Sequence, residues 1–224
     1  MSTELAQVNE NLRRLGFRII ESENMKTLLP FERRHADMQC LRINDTFFVL
    51  KECKTLIETI QKMGYNVIET EKDISVKYPG NVLLNAVYLQ NKLYCNTKAL
   101  DNSVKKYCIK NEIEIINVNQ GYTKCSTAII RDSFITSDRA IFDTISQNGV
   151  EGLLIESGCI ELKGVNYGFI GGCCFSYNEN VYFTGDIDNH PNCKGIKQFC
   201  DSKNINIVCL TENNLYDIGG FIVI

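Results

Sequence analysis

His35-Ala36-Asp37-Met38-Gln39-Cys40-Leu41-Arg42-Ile43-Asn44-Asp45-Thr46-Phe47-Phe48-Val49-Leu50 joins a His-x-Asp pair to a complete strand, turn and strand. Cys40 and Arg42 alternate with Leu41 and Ile43, the pattern of a half-buried strand. Asn44-Asp45 is a turn dipeptide, and the β-branched and aromatic run from Thr46 to Leu50 supplies the return strand. His35 and Asp37 then fall where the first strand leaves the sheet. In an extended segment residues two apart point to one side. Standing alone beside Arg33 and Arg34, a His-x-Asp reads more economically as surface; the rest of the chain gives this one its weight.

Working outward, Lys54 to Met63 places Leu56, Ile57, Ile60 and Met63 at helical spacing with Gly64 as the stop, and Tyr65 to Glu69 reads as a strand. The unit is strand, strand, helix, strand, and it recurs. The second copy is Asn81 to Leu89, a Gln90-Asn91 turn, Lys92 to Cys95, a helix near Leu100 to Cys108, and Ile113 to Val118. The third is Ser126 to Arg131, a turn at Asp132-Ser133, Phe134 to Thr136, a helix from Ser137 to Gln147, Gly149, and Gly152 to Glu156. The fourth is Gly168 to Ser176, the turn Tyr177 to Asn180, Val181 to Thr184, a helix from Cys193 to Lys203, and Ile205 to Leu210. An extra β-turn pair, Gly158 to Lys163, precedes it. After that, Leu215 to Ile224 has room for one strand pair at most and no helix. Thr3 to Leu15, with Leu5, Val8, Leu12 and Leu15 at helical spacing, then Gly16 and Phe17 to Ile20, offer a helix and a strand from the other end. The expected architecture is therefore α/β: one domain over residues 1–224, a pseudo-fivefold propeller of five ββαβ modules, the fifth closed by both termini so that no sheet edge dangles.

Composition narrows the function classes. With 224 residues and 44% apolar content the chain can bury a real core, and its net charge of −3 is spread over both signs. No basic face suggests a nucleic-acid partner. No leader-like opening and no apolar run near the ~18–20 residues needed to cross a bilayer is present, so a cytoplasmic protein without a membrane partner is expected. The eleven cysteines are odd in number and include no Cys-x-x-Cys, and there are only two histidines. Free, mostly buried thiols are expected, with neither a disulfide framework nor a metal site. Gly168 to Gly172 fits neither a dinucleotide fingerprint nor a phosphate loop, so no cofactor is expected; those glycines read as close backbone approach near the centre.

Five such modules resemble the pentein fold of the guanidine-modifying enzymes, which include arginine deiminase, agmatine deiminase, dimethylarginine hydrolase and the amidinotransferases. His35-Ala36-Asp37 with Phe47-Phe48-Val49 resembles the His-x-Asp hairpin of arginine deiminases. Asn81-Val82-Leu83-Leu84 leading to Leu93-Tyr94-Cys95 is similar to their Asn-containing module, and Gln120-Gly121-Tyr122-Thr123-Lys124-Cys125-Ser126 to the glycine-rich rim loop that ends in the nucleophilic cysteine. Asp217, before Ile218-Gly219-Gly220, resembles the acidic residue beside a Gly-Gly pair. The chain departs from the pattern twice. Ile218 separates the acid from the glycines, and a substrate carboxylate expected in the fourth module is replaced by Gly171-Gly172-Cys173-Cys174.

The resemblance implies Cys125 as nucleophile, His35 as proton carrier, and Asp217 either orienting His35 or binding substrate. Asp37, Asn81, Gly171 and Gly172 are the implied substrate contacts. A thiol is largely protonated at neutral pH, so Cys125 needs a cationic His35 or a cationic substrate to ionise it before it attacks an sp² carbon. The implied activity is cofactor-free hydrolysis of a C–N bond in a guanidine- or amidine-like small molecule, with a homo-oligomer compatible and nothing in the sequence deciding it. The alternative is a non-catalytic binding or assembly protein of the same fold, as in its translation-factor members, and the incomplete acid set favours it. A redox-sensing cysteine is a third option, which needs a resolving thiol near Cys125.

Overall fold

The computed structural model describes residues 3–224. Four three-stranded sheets follow one another along the chain, each with a helix between its second and third strands. The first is β1 (Cys40–Ile43), β2 (Thr46–Val49), α3 (Lys54–Lys62) and β3 (Asn66–Glu69), preceded by α1 (Thr3–Arg14) and the single turn α2 (Ala36–Gln39). The others are β4 (Val87–Leu89), β5 (Lys92–Cys95), α4 (Asn102–Lys110) and β6 (Glu114–Asn117); β7 (Thr127–Ile130), β8 (Ser133–Thr136), α5 (Arg139–Gln147) and β9 (Gly152–Leu154); and β10 (Cys174–Tyr177), β11 (Asn180–Phe183), α6 (Cys193–Ser202) and β12 (Asn206–Cys209). This is a mixed α/β fold of small sheets.

Local chemistry repeats with the topology. In every sheet the middle strand pairs antiparallel with the first and parallel with the third, as in Ile43↔Thr46 beside Thr46↔Asn66 and Tyr177↔Asn180 beside Asn180↔Asn206. A strand bonded on both edges and covered on both faces carries β-branched and aromatic residues, and Thr46–Val49 and Ser133–Thr136 are buried throughout. Two-residue turns set the hairpins, with Asn44, Arg131 and Asn178 in the left-handed region (φ 53°, 54° and 52°). The third turn thus sits at Arg131-Asp132, one residue earlier than the Asp132-Ser133 expectation. The second first-strand is also shorter than expected. Only Val87–Leu89 is ladder, because residues 79–86 fold into successive turns, Val82 N–H donating to Pro79 O (3.2 Å) and Asn85 N–H to Val82 O (3.3 Å).

Three of the four sheet helices, α3, α4 and α6, return to their third strands through one device. Tyr65 N–H donates back to Ile60 O, Ile113 N–H to Cys108 O and Ile205 N–H to Cys200 O. The N-terminal segment does the same: Phe17 N–H donates to Leu12 O (3.0 Å), after Gly16 has turned the chain at φ +90°. Arg18, Ile19, Ile20 and Glu21 then run exposed, half-buried, half-buried, exposed, the pattern of β3, β6 and β12. The terminal segments are expected to pair or pack side by side, and they pack. Among the described residues no backbone ladder bond reaches 18–21, and the Leu215 to Ile224 segment contributes only an isolated bridge, Tyr216 with Glu161. The two segments share an apolar cluster instead, where Phe17, Ile19, Ile218, Phe221 and Val223 pack on Val8, Leu12, Phe175 and Tyr182.

Candidate active site

His35 caps α2, and Asp37 lies in that helical turn, so the pair is not the extended, same-side arrangement that spacing alone suggests. The turn is imposed from far along the chain: Asp37 N–H donates to Gly219 O (3.0 Å). Gln39 anchors it from below, donating to Glu23 O (2.7 Å) and Arg33 O (3.0 Å) and accepting from Glu23 N–H (2.9 Å). Cys125 stands two residues before β7, at the end of a rim turn held by Ser126 N–H to Tyr122 O (2.9 Å) and Thr123 Oγ1 to Gln120 O (2.6 Å).

Asn85 ties the two together. Its amide nitrogen donates to Asp37 O (3.2 Å) and to Cys125 Sγ (2.9 Å), while its oxygen accepts from the N–H groups of Lys124 (2.7 Å) and Cys125 (3.2 Å). Asn85 lies within the Asn81 to Leu89 segment that the sequence reads as strand, and only the turns of 79–86 set it apart. It precedes β4 by the same two residues by which Cys125 precedes β7.

Asp217 closes the other side. Its carboxylate accepts from Phe169 N–H (2.9 Å) and Gly219 N–H (2.8 Å), so backbone amides, not His35, hold it. Gly171 and Gly172 are there for want of space: a Cβ on Gly172 would lie 1.9 Å from Asp217 Oδ1, and one on Gly171 would meet the carbonyl oxygens of Lys124, Thr127 and Cys125 at 2.2–2.7 Å. A Cβ on Gly219 would fall 2.2 Å from His35 Cα. Asn81 belongs to an adjoining chain of polar groups. It donates to Tyr122 Oη (2.6 Å), which donates to Glu32 Oε1 (2.9 Å). Glu32 carried no sequence signal beyond proximity to His35, and Tyr122 and Lys124 none beyond their place in the rim loop.

The electrostatics are those of a closed, acid-rich centre. His35, Asp37, Asn81, Asn85, Cys125 and Asp217 are all at most 6% exposed. Burial raises the Asp37 carboxyl to about 6; His35 pulls it down and Asp217 pushes it up. The Cys125 thiol lies beside that carboxylate without a hydrogen bond of normal geometry, and neither Asp37 oxygen has a partner. Burial, then Asp37 and Asp217, push the Cys125 thiol well above its ordinary value, with the Asn85 amide working against them. Glu32 Oε2 and Asn81 Oδ1 are likewise buried without a partner. Each of these orphans is an acceptor, and buried unpaired acceptors cost free energy until a donor arrives. Among the described residues no group of three His, Cys, Asp or Glu side chains is gathered so as to hold a metal ion. All eleven cysteines are free thiols.

Residues 2–222 match a family whose description is Family of unknown function (DUF6873). The chain belongs to that family. No curated protein matches the sequence. Solved structures give the DUF6873 chain its fold. A DDAH from Pseudomonas aeruginosa, complexed with citrulline, is 12% identical with a TM-score of 0.58, over 92% of this chain and 80% of that one. A dimethylarginine dimethylaminohydrolase adduct with S-methyl-L-thiocitrulline gives the same values. An amidinotransferase from Microseira wollei, of the saxitoxin biosynthetic pathway, is 8% identical with a TM-score of 0.57, over 96% and 75%. The DUF6873 chain therefore has the pentein fold that the guanidine-modifying enzymes share. Among its described residues no helix is long and apolar enough to cross a membrane.

Proposed function

We propose that the DUF6873 chain is a five-module pentein whose fifth module is built from both termini, and that it hydrolyses a C–N bond in a guanidine- or amidine-like small molecule, in the cytoplasm and without a cofactor. The observation that carries this reading is Asp37. It is fully buried, has no hydrogen-bond partner on either oxygen, and lies beside Cys125. A planar cation with several N–H donors satisfies such a carboxylate, and Glu32 Oε2 and Asn81 Oδ1 offer further acceptors. The same positive charge favours the thiolate of Cys125, which burial and two carboxylates otherwise oppose.

In that scheme Cys125 Sγ attacks the amidine carbon, and the thiol proton passes through His35 to the departing amine as the C–N bond breaks. His35 then takes a proton from water, whose oxygen attacks the same carbon and releases the thiol. Asn85 positions Sγ, and Asp217 fixes the Gly219-Gly220 turn against His35. The test is a calorimetric panel of arginine, agmatine, methylarginine and neutral citrulline-like compounds, with turnover read in parallel. His35→Ala is expected to keep binding and lose turnover by ~10²–10⁴-fold. Asp37→Asn is expected to weaken cationic ligands by ~2–5 kcal/mol and neutral ones far less. Equal loss for both ligand classes rejects the cation assignment.

One observation favours a second reading, a non-catalytic binding protein on the same fold: the Cys125 thiol is closed off from solvent and strongly biased towards its protonated form. Cation binding by the wild type with no consumption of any ligand establishes that reading instead.

A further inference from the structure

Three rim turns each place a second polar residue just outside the candidate centre. Glu32 precedes His35 by three positions, and His35 N–H donates to Glu32 O (3.0 Å). Tyr122 precedes Cys125 by three, and Asn81 precedes Asn85 by four across the turns of 79–86. These outer residues meet one another as the inner ones do. Asn81 Nδ2 lies 2.6 Å from Tyr122 Oη, which lies 2.9 Å from Glu32 Oε1. A hydroxyl has one proton to give, and an ionised carboxylate can only accept it. Tyr122 must therefore accept from the Asn81 amide nitrogen, and the amide oxygen of Asn81 is turned away from it.

That leaves two acceptors, Glu32 Oε2 and Asn81 Oδ1, on side chains only 4% and 2% exposed and without a partner. Tyr122 holds the other Glu32 oxygen, and among the described residues no cation pairs with this carboxylate. Asp37 has the same deficit on both oxygens. One guanidinium carries a single positive charge, whereas two buried carboxylates short of donors call for two. The outer residues are close enough to act with the centre: burial, Glu32 and Cys125 all push the Tyr122 hydroxyl above its ordinary value. An approach is laid out as well. The Tyr122 ring stacks between exposed Tyr78 (6.4 Å between centroids) and Phe169 (6.1 Å), whose N–H holds Asp217. This aromatic wall runs from the surface to the centre and suits both an alkyl spacer and a cation.

We propose that Glu32 and Asn81 bind a second cationic group of the ligand, an ammonium or a second amidinium, a proposal that deepens the guanidine reading and rests on it. A turn of the Glu32–His35 kind keeps its end Cα atoms within about 7 Å, so the second cation lies one turn outward from the first, across a short apolar spacer. The ligand class is then the guanidine or amidine of a diamine. An α-amino acid fits worse, because its ammonium brings a carboxylate with it, and like charges set side by side repel. Glu32 is on this view the residue that sets specificity, and it moves no proton in the reaction.

The experiment is calorimetry on the whole chain at neutral pH with agmatine and butylguanidine, which offer the same guanidinium with and without a distal ammonium. Arginine adds the carboxylate. Agmatine is expected to bind about ten- to a hundredfold tighter than butylguanidine, the range of a charge-assisted hydrogen bond, and arginine no tighter than butylguanidine. Glu32→Gln keeps an acceptor for Tyr122 but removes the charge. It should bring agmatine down to the level of butylguanidine and leave butylguanidine unchanged. Equal affinity of the wild type for agmatine and butylguanidine overturns the second cation while the guanidine reading stands. Loss of both ligands alike in Glu32→Gln makes Glu32 a brace of the His35 turn and overturns the proposal too, and arginine as tight as agmatine overturns the exclusion of amino acids. If the wild type binds neither guanidine, the guanidine reading fails and this proposal falls with it. Should Glu32→Gln not fold, the ligand pair on the wild type decides by itself.

Discussion

The centre of the molecule and its terminal segments both hold unsatisfied polar groups, but of opposite kinds. At the centre the orphans are side-chain acceptors sealed from water, on Asp37, Glu32 and Asn81. In the terminal segments they are backbone groups of half-exposed residues that water can reach. Sealed orphans carry their full desolvation cost, whereas wetted ones cost little. The difference teaches where strain is concentrated. The fold leaves its terminal segments unpaired cheaply, while the Asp37 pocket persists only because rigid neighbours enforce it.

Matched substitutions sharpen that contrast. Gly171→Ala is expected to have the largest effect, since its Cβ would press on three backbone carbonyls, none of which can rotate away. A loss of ~3–4 kcal/mol in denaturant titrations is expected. A loss near 1 kcal/mol would mean that the centre is softer than its packing indicates.

Asp37→Asn should act in the other direction. A carboxyl raised from 3.8 to about 6 binds its proton more tightly when folded, so its contribution to stability is fully present below pH 4 and is lost as pH rises through 6. The amide removes that penalty. At pH 7 the variant should be more stable than the wild type by up to ~3 kcal/mol, the difference vanishing below pH 4 in a thermal-melt series. Equal melting of the two at pH 7 would show that Asp37 is not strained.

The smallest effect belongs to the terminal region. Gly16 has φ +90° and no atom within 4 Å of the place a Cβ would occupy, so Gly16→Ala meets only backbone strain, costing about 1 kcal/mol. A loss comparable to Gly171→Ala would erase the distinction between the two regions.

The repeat was legible because each sheet comes from one contiguous stretch, punctuated by turn residues and helix stops; α6 begins at Cys193 and α5 ends at Gln147, as their spacing indicates. Cys125 was legible from its place in the repeat, which sets it at the entrance to β7. What sequence could not supply were features set by distant contacts. The single turn α2 is too short for any periodicity, and Gly219 O holds it. The carboxylate of Asp217 accepts from the amides of Phe169 and Gly219, contacts that local pattern does not encode. Asn81 and Asn85 are four residues apart in one segment, and only the turns of 79–86 decide which of them reaches Cys125.

The bond from Asp37 N–H to Gly219 O also orders events in time. A ribosome delivers His35 long before Gly219. Each sheet can form as its own stretch emerges, because its contacts are local. The pocket around Asp37 cannot, since the turn that braces it is still untranslated. Until Gly219 emerges, then, the growing chain carries completed sheets around an unfinished centre, and any truncated product that stops short of Gly219 lacks the brace altogether.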